Sequence, residues 1–192
     1  MELLKQKIKS DGTALSSQVL LVDSFLNHRV EPELMFSIGE EFARLFADKG
    51  ITAVATIESS GIAPAVMTAM AMNVPLLIMK KSTSEILADG ILQTPVHSFT
   101  KNVTYKLTLK PSFLDSNDRV LLIDDFLANG EAALGGARLI EQTGARVGGI
   151  GIVIEKAFQP GRARLISEGY TPISLASVKK MDVGSIEFTD DM

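Results

Sequence analysis

Apolar residues along this chain fall into two rhythms. Short unbroken runs at 51–57, 75–79, 120–123, 147–154 and 172–178 have the pattern of strands buried on both faces. Between them lie segments whose apolar positions recur at helical spacing. Leu34, Ile38, Phe42 and Leu45 make one such stripe in a helix expected over 32–48, with Pro32 at its first position and Gly50 just past its end. Further helices are expected over 63–72, 132–143 and 162–168, and a short amphipathic one over 3–9. Residues 19–22 read as a short extended segment. Strands alternating with helices predict an α/β fold, with a mainly parallel central sheet flanked by helices. The stretch 82–118 is less regular, with weak strand signals at 96–99 and 103–109. No internal repeat, low-complexity tract or linker interrupts the pattern, so 1–192 reads as a single domain.

Composition narrows the class. Apolar residues make up 46% of the 192, which suits a packed core and excludes wholesale disorder. No apolar run approaches the ~18–20 residues that span a bilayer, and the opening MELLKQKIKSDG lacks a signal-peptide core. A cytoplasmic protein without membrane contact is expected. The absence of cysteine excludes disulfides and thiolate metal sites. A net charge of −4, with basic residues paired only at Lys80-Lys81 and Lys179-Lys180, gives no footprint for nucleic acid. His28 and His97 show neither a carboxylate partner nor metal spacing and read as surface or loop residues, and Asp190-Asp191 as a frayed tail.

In a parallel sheet, ligands sit at the carboxyl ends of the strands. Four expected strands end in polar or charged residues there: Glu58-Ser59-Ser60-Gly61, Lys80-Lys81, Asp124-Asp125 and Glu155-Lys156. One charged strand end means little, but four on one edge form a constellation. The third is the richest. Asp124 and Asp125 lead into Ala128-Asn129-Gly130-Glu131-Ala132, where a loop becomes a helix. The first amides of a helix lack partners, its dipole is positive there, and small residues let an anion approach. The stretch is therefore a candidate phosphate cradle, and it is equally a tight turn with Asp residues placed to cap the helix. Two carboxylates cannot hold a phosphate. They can accept hydrogen bonds from sugar hydroxyls, directly or through a hydrated Mg²⁺. Neither the P-loop nor the dinucleotide fingerprint is present.

The stretch VLLIDDFLANGEAA resembles the phosphoribosyl pyrophosphate motif of the type I phosphoribosyltransferases: four apolar residues, two acids, two apolar residues and a small phosphate loop. It departs in the loop, where that family commonly has Thr-Gly-Gly-Thr and this chain has Asn129, Gly130, Glu131 and Ala132. The resemblance implies that Asp124 and Asp125 contact the ribose hydroxyls and that residues 128–132 hold the 5-phosphate of 5-phospho-α-D-ribose 1-diphosphate, with Glu131 turned away. IESSGIAPA is similar to the family's pyrophosphate loop, which assigns Glu58, Ser59, Ser60, Gly61 and Lys81 to the leaving group. Residues 1–50 and a flexible insertion, 82–118, would form a hood over the site. VDSFLNH and IGIVIEKAFQPGR are similar to the bacterial members that take xanthine. That likeness places Leu20, Asn27, Lys156 and Phe158 around the base. Lysine, with three donors and no acceptor, suits a 6-oxopurine. Phe158 reads either as a stacking ring or as packing, and Asn27 as a base contact or a turn residue. The implied activity is purine salvage: a pentosyltransferase, cytoplasmic and homodimeric, using Mg²⁺, that makes xanthosine 5′-monophosphate. Preference for hypoxanthine or guanine, or a purine-responsive transcriptional regulator of the same fold, are the alternatives.

Overall fold

The structure, a computed structural model, describes residues 1–82, 90–98 and 103–189. Residues 83–89 and 99–102 of the expected hood, Phe99 among them, and the tail 190–192 lie outside the described residues. The chain begins with α1 (Glu2–Asp11), a two-residue pairing of β1 (Thr13–Ala14) with β2 (Leu20–Leu21), and α2 (Pro32–Leu45). Next come β3 (Ala53–Ile57), α3 (Ile62–Met72), β4 (Leu76–Ser82), β5 (Leu92–Ser98) and β6 (Val103–Leu109). The second half holds β7 (Arg119–Leu127), α4 (Glu131–Gln142), β8 (Arg146–Lys156), α5 (Gly161–Ser167), β9 (Pro172–Asp182) and β10 (Ser185–Phe188).

Eight strands make one sheet in the order β10-β9-β8-β7-β3-β4-β6-β5. The five at its centre, β9, β8, β7, β3 and β4, run parallel, as their apolar runs predict. The flanking β10, β6 and β5 are antiparallel. Helices cover both faces. On one, α1, α2 and α3 bury Leu4, Ile8, Ile38, Phe42 and Ala65 against Val54, Leu121, Ile123 and Val153. On the other, α4 and α5 bury Leu134, Leu139, Ile140 and Leu165 against Ala55, Leu122 and Ile152. Each such aliphatic or aromatic side chain contributes about 1.5–3 kcal/mol by leaving water. The glycines of β8 serve this packing: a Cβ on Gly149 would collide with the Phe46 ring, and one on Gly151 would meet Phe42 at 2.8 Å.

Four expectations change. The helix expected over 32–48 ends at Leu45, because Phe46 turns into the core and a tight turn, Ala47–Lys49, follows before Gly50 at φ 61°. The extended segment 19–22 shrinks to Leu20–Leu21 and passes into a wide helical turn, Asp23–Asn27, whose His28 N–H reaches back to the Asp23 carbonyl at 3.2 Å. β7 runs past the two acids to Leu127, since Phe126 and Leu127 stay in register with Ile154 and Glu155 of β8. The irregular stretch 82–118 contains a regular hairpin where it is described. There β5 and β6 pair over seven residues and bury Thr94, Val96, Leu107 and Leu109.

Candidate active site

Because the central strands are parallel, their carboxyl ends share one edge. The order β8-β7-β3-β4 sets Lys156, the Asp124–Leu127 segment, the Glu58 loop and Lys80-Lys81 side by side along it. The four polar strand ends thus become neighbours in space.

Asp124 is 7% exposed and Asp125 half-buried. Burial pushes the Asp124 carboxyl well above the usual carboxylate range, and the charge of Asp125 pushes it further. Burial also raises Asp125, against the opposing pull of local hydrogen bonds and the Lys81 ammonium. The Asp125 amide donates to Asp124 Oδ1 at 3.1 Å. Lys81 lies over the Tyr105 ring, 5.3 Å from its centroid, and its charge favours both ionised acids. Tyr105 is itself pushed up to about 12, by burial first and then by Asp124.

The loop after β7 closes a cleft of about 120 Å³, lined by Asp124, Phe126, residues 128–133, and Val96, His97 and Tyr105 of the hairpin. His97 is therefore a strand residue on the cleft wall, Nδ1 3.1 Å from Thr104 Oγ1, rather than a surface or loop residue; His28 is exposed. Gly130 takes the left-handed conformation, φ 82°, that side chains disfavour, and turns the chain into α4. The first amides of α4 have no carbonyl within the helix to bond and face this end. Glu131 is turned to the side, its Oε1 2.6 Å from the Arg164 guanidinium.

At the end of β3 the Glu58 carboxylate is engaged by its neighbours. It accepts the Lys81 amide at 2.6 Å and pairs with the Lys80 ammonium at 3.2 Å. Burial opposes its charge, but these partners outweigh it and hold the carboxyl below its ordinary value. Ser59 is exposed and Ser60 half-buried. Gly61 allows α3 to start directly over Thr56: a Cβ there would collide with Thr56 Oγ1, a buried hydroxyl without a hydrogen-bond partner.

A second cavity, about 460 Å³, is lined by Gln18, Val19, Leu20, Phe126, Ala128, Asn129, Lys156 and Gln159. It shares Phe126, Ala128 and Asn129 with the first cleft, so the two meet at that wall. Lys156 Nζ donates to the Gln18 carbonyl at 2.6 Å and sits 5.5 Å from the Phe126 ring centroid. Burial lowers its affinity for the proton. One of its three donors is used, and two remain for a ligand. The Gln159 side chain donates to Gln18 Oε1 at 2.9 Å, tying the β1–β2 connection to the rim.

No family model matches the chain. Xanthine phosphoribosyltransferase 1 of Clostridium botulinum (strain Hall) is 57% identical over 188 residues, 98% of this chain and 99% of that protein. The xanthine phosphoribosyltransferase of Pseudomonas entomophila is 53% identical over 190 residues, 99% of this chain and 100% of that one. The chain belongs to the xanthine phosphoribosyltransferase family. Its fold is that of type I phosphoribosyltransferases. The adenine phosphoribosyltransferase of Rhodothermus marinus matches it with a TM-score of 0.75 at 23% identity, over 93% of this chain and 100% of that one.

In this xanthine phosphoribosyltransferase family member, Leu20 and Lys156 meet in one cavity, and Asp124 meets 128–132 in the other. Asn27 and Phe158 are not among the residues lining either. Phe158 is 37% exposed, and Phe126 supplies the aromatic wall instead. Asn27 ends the wide turn after the buried Phe25 and Leu26, and its Oδ1 is buried with no hydrogen-bond partner among the described residues. Phe126, Gln18, Gln159 and Tyr105 line these cavities but are not among the sequence candidates. Phe126 carried a signal, since it stands inside the acid motif itself. The others are brought in only by the folding of distant segments.

Proposed function

We propose that this xanthine phosphoribosyltransferase family member joins xanthine to 5-phospho-α-D-ribose 1-diphosphate, giving xanthosine 5′-monophosphate and pyrophosphate. The observation that carries the reading is the acid pair, with Asp124 buried in the wall of a loop-to-helix cleft and Asp125 half-buried next to it in the chain. Buried like charges are costly unless something compensates them. Sugar hydroxyls and a substrate-borne cation supply that compensation.

The α4 amides and Gly130 receive the 5-phosphate, and Asp124 and Asp125 accept from the ribose hydroxyls. Lys81, Ser59 and Ser60 take the pyrophosphate side, with Glu58 and Lys80 bracing the loop. Phe126 and Leu20 flank the base, and Lys156 donates to its 6-oxo group. Asn27 lies outside the lining of this cavity and would have to turn toward the base; its buried acceptor and amide donor would then complement a 2-oxo group beside a ring N–H. Hypoxanthine lacks the 2-oxo acceptor, which favours xanthine. Two carboxylates plus substrate phosphates are the usual setting of Mg²⁺, which fits the acid pair. When bound, the ion would neutralise the pyrophosphate as it leaves. The chain's own part is to align the two substrates and to offset the positive charge that develops on the sugar. We place the enzyme in the cytoplasm as a homodimer; among the described residues no helix is long and apolar enough to cross a membrane. Names of enzymes on relatives 51–57% identical favour catalysis over the regulator reading.

Lys156→Ala tests the base assignment. It should raise KM for xanthine about tenfold or more, the loss of a charged hydrogen bond, while KM for the ribosyl donor stays within about twofold. Steady-state kinetics with each substrate varied decides it. Equal effects on both KM values would remove Lys156 from the base site.

A further inference from the structure

The phosphate loop contains a carboxylate, Glu131, at the first position of α4, where an incoming phosphate would meet it. A like charge there opposes anion binding, and the side chains of Ala128, Asn129, Gly130 and Ala132 include no cation to offset it. The offset comes from α5. Arg164 Nη2 lies 2.6 Å from Glu131 Oε1, and its Nη1 donates to the Asn129 carbonyl at 2.7 Å. One guanidinium thus holds both the acidic side chain and a loop carbonyl, the two groups that would repel a phosphate. The start of α5 adds a backbone brace, because the Gly161 amide donates to the Ala128 carbonyl at 2.9 Å. No side chain stands between the segments. A Cβ on Gly130 would come within 3.2 Å of Gly161, and one on Gly161 would collide with the Ala128 carbonyl.

We propose that Arg164 is a positioning residue for the donor's 5-phosphate: it turns the Glu131 carboxylate and the Asn129 carbonyl off the cleft, so that the loop and helix amides face the anion. The proposal rests on the phosphoribosyl transfer reading above. It does not depend on the pair's contribution to stability, which is small for side chains 38% and 23% exposed. Its consequence is electrostatic and local. Loss of Arg164 leaves an unpaired carboxylate beside the phosphate.

The test is a kinetic set of three variants, Arg164→Ala, Arg164→Lys, and Arg164→Ala combined with Glu131→Gln, with both substrates varied in turn. Arg164→Ala should raise KM for the ribosyl donor about tenfold or more and leave KM for xanthine within about twofold. Adding Glu131→Gln should recover most of that loss, since the offending charge is gone. Arg164→Lys, which keeps the charge and loses the fork, should fall between wild type and Arg164→Ala. An unchanged donor KM in Arg164→Ala, equal rises in both KM values, or a double variant no better than the single would overturn the proposal. Should Arg164→Ala not fold, Arg164→Lys with and without Glu131→Gln makes the same comparison. A wild-type protein that does not turn over the donor at all would instead sink the transfer reading.

Discussion

Replacing Asp124 and Asp125 together by asparagine should lower kcat/KM for the ribosyl donor on the order of a thousandfold or more, while leaving the fold as stable as before or more so. The two halves of this prediction have one cause. The folded protein raises both carboxyls above their ordinary values, chiefly by burial. A group raised on folding stabilises below its unfolded value, and that stability is lost as pH rises through the folded value. At neutral pH the pair therefore opposes folding, and the amides remove that cost. The same charges are what ribose hydroxyls and a divalent ion need. Removing one preorganised electrostatic contact costs ~100–1,000-fold, and here two are lost. Donor kinetics and thermal melting of the same sample check both halves. A near-normal rate would refute the sugar role. Marked destabilisation at neutral pH would refute the electrostatic account of the pair.

Arg162→Met should destabilise the protein by about 2 kcal/mol at neutral pH, less than a fully buried pair would lose, because the Arg162 side chain is 39% exposed. Glu155, 1% exposed, accepts Arg162 through both oxygens at 2.7 and 2.6 Å. Ser174 and Ser177 hydroxyls also donate to it, at 2.6 and 3.2 Å. Burial opposes the Glu155 charge, yet these partners hold its carboxyl below the ordinary value. Such a group stabilises above its unfolded value, and the contribution is lost as pH falls through the folded one. The effect of Arg162→Met should therefore be full at neutral pH and fade below about pH 4. In melting temperature it amounts to roughly 4–8 °C for a chain of this size. Melting curves at pH 7 and at about pH 3, below the ordinary carboxylate range, show whether it does. A loss of stability equal at both values would contradict the assignment.

Much of this was legible in the sequence, for identifiable reasons. The strands β3, β4, β7, β8 and β9 are buried on both faces, so their apolar runs are continuous and their order predicts the parallel sheet. Parallel strands put their carboxyl ends on one edge, which brought the four polar ends into a row without any structural input. The hairpin β5–β6 was harder to see, because β6 is exposed or half-buried along its first half and shows little hydrophobic contrast. Asn27 sits on a wide helical turn that no simple periodicity marks. Phe126 and Phe158 are both aromatic residues near polar strand ends, and only the register of β7 against β8 carries Phe126 to the wall shared by the two cavities. Glu131 had an evident problem, a negative charge beside a phosphate. Its solution, Arg164, lies on α5 beyond an entire strand, and no local pattern links them.

Phosphoribosyl transfer to xanthine is measured by supplying the protein with 5-phospho-α-D-ribose 1-diphosphate, Mg²⁺ and, separately, xanthine, hypoxanthine or guanine, and following the nucleotide and pyrophosphate released. Xanthosine 5′-monophosphate and pyrophosphate should appear in equal amounts, with the highest kcat/KM for xanthine. Faster turnover of hypoxanthine or guanine would contradict the role given to Asn27 and the preference for xanthine, and no pyrophosphate from any of the three purines would contradict phosphoribosyl transfer itself.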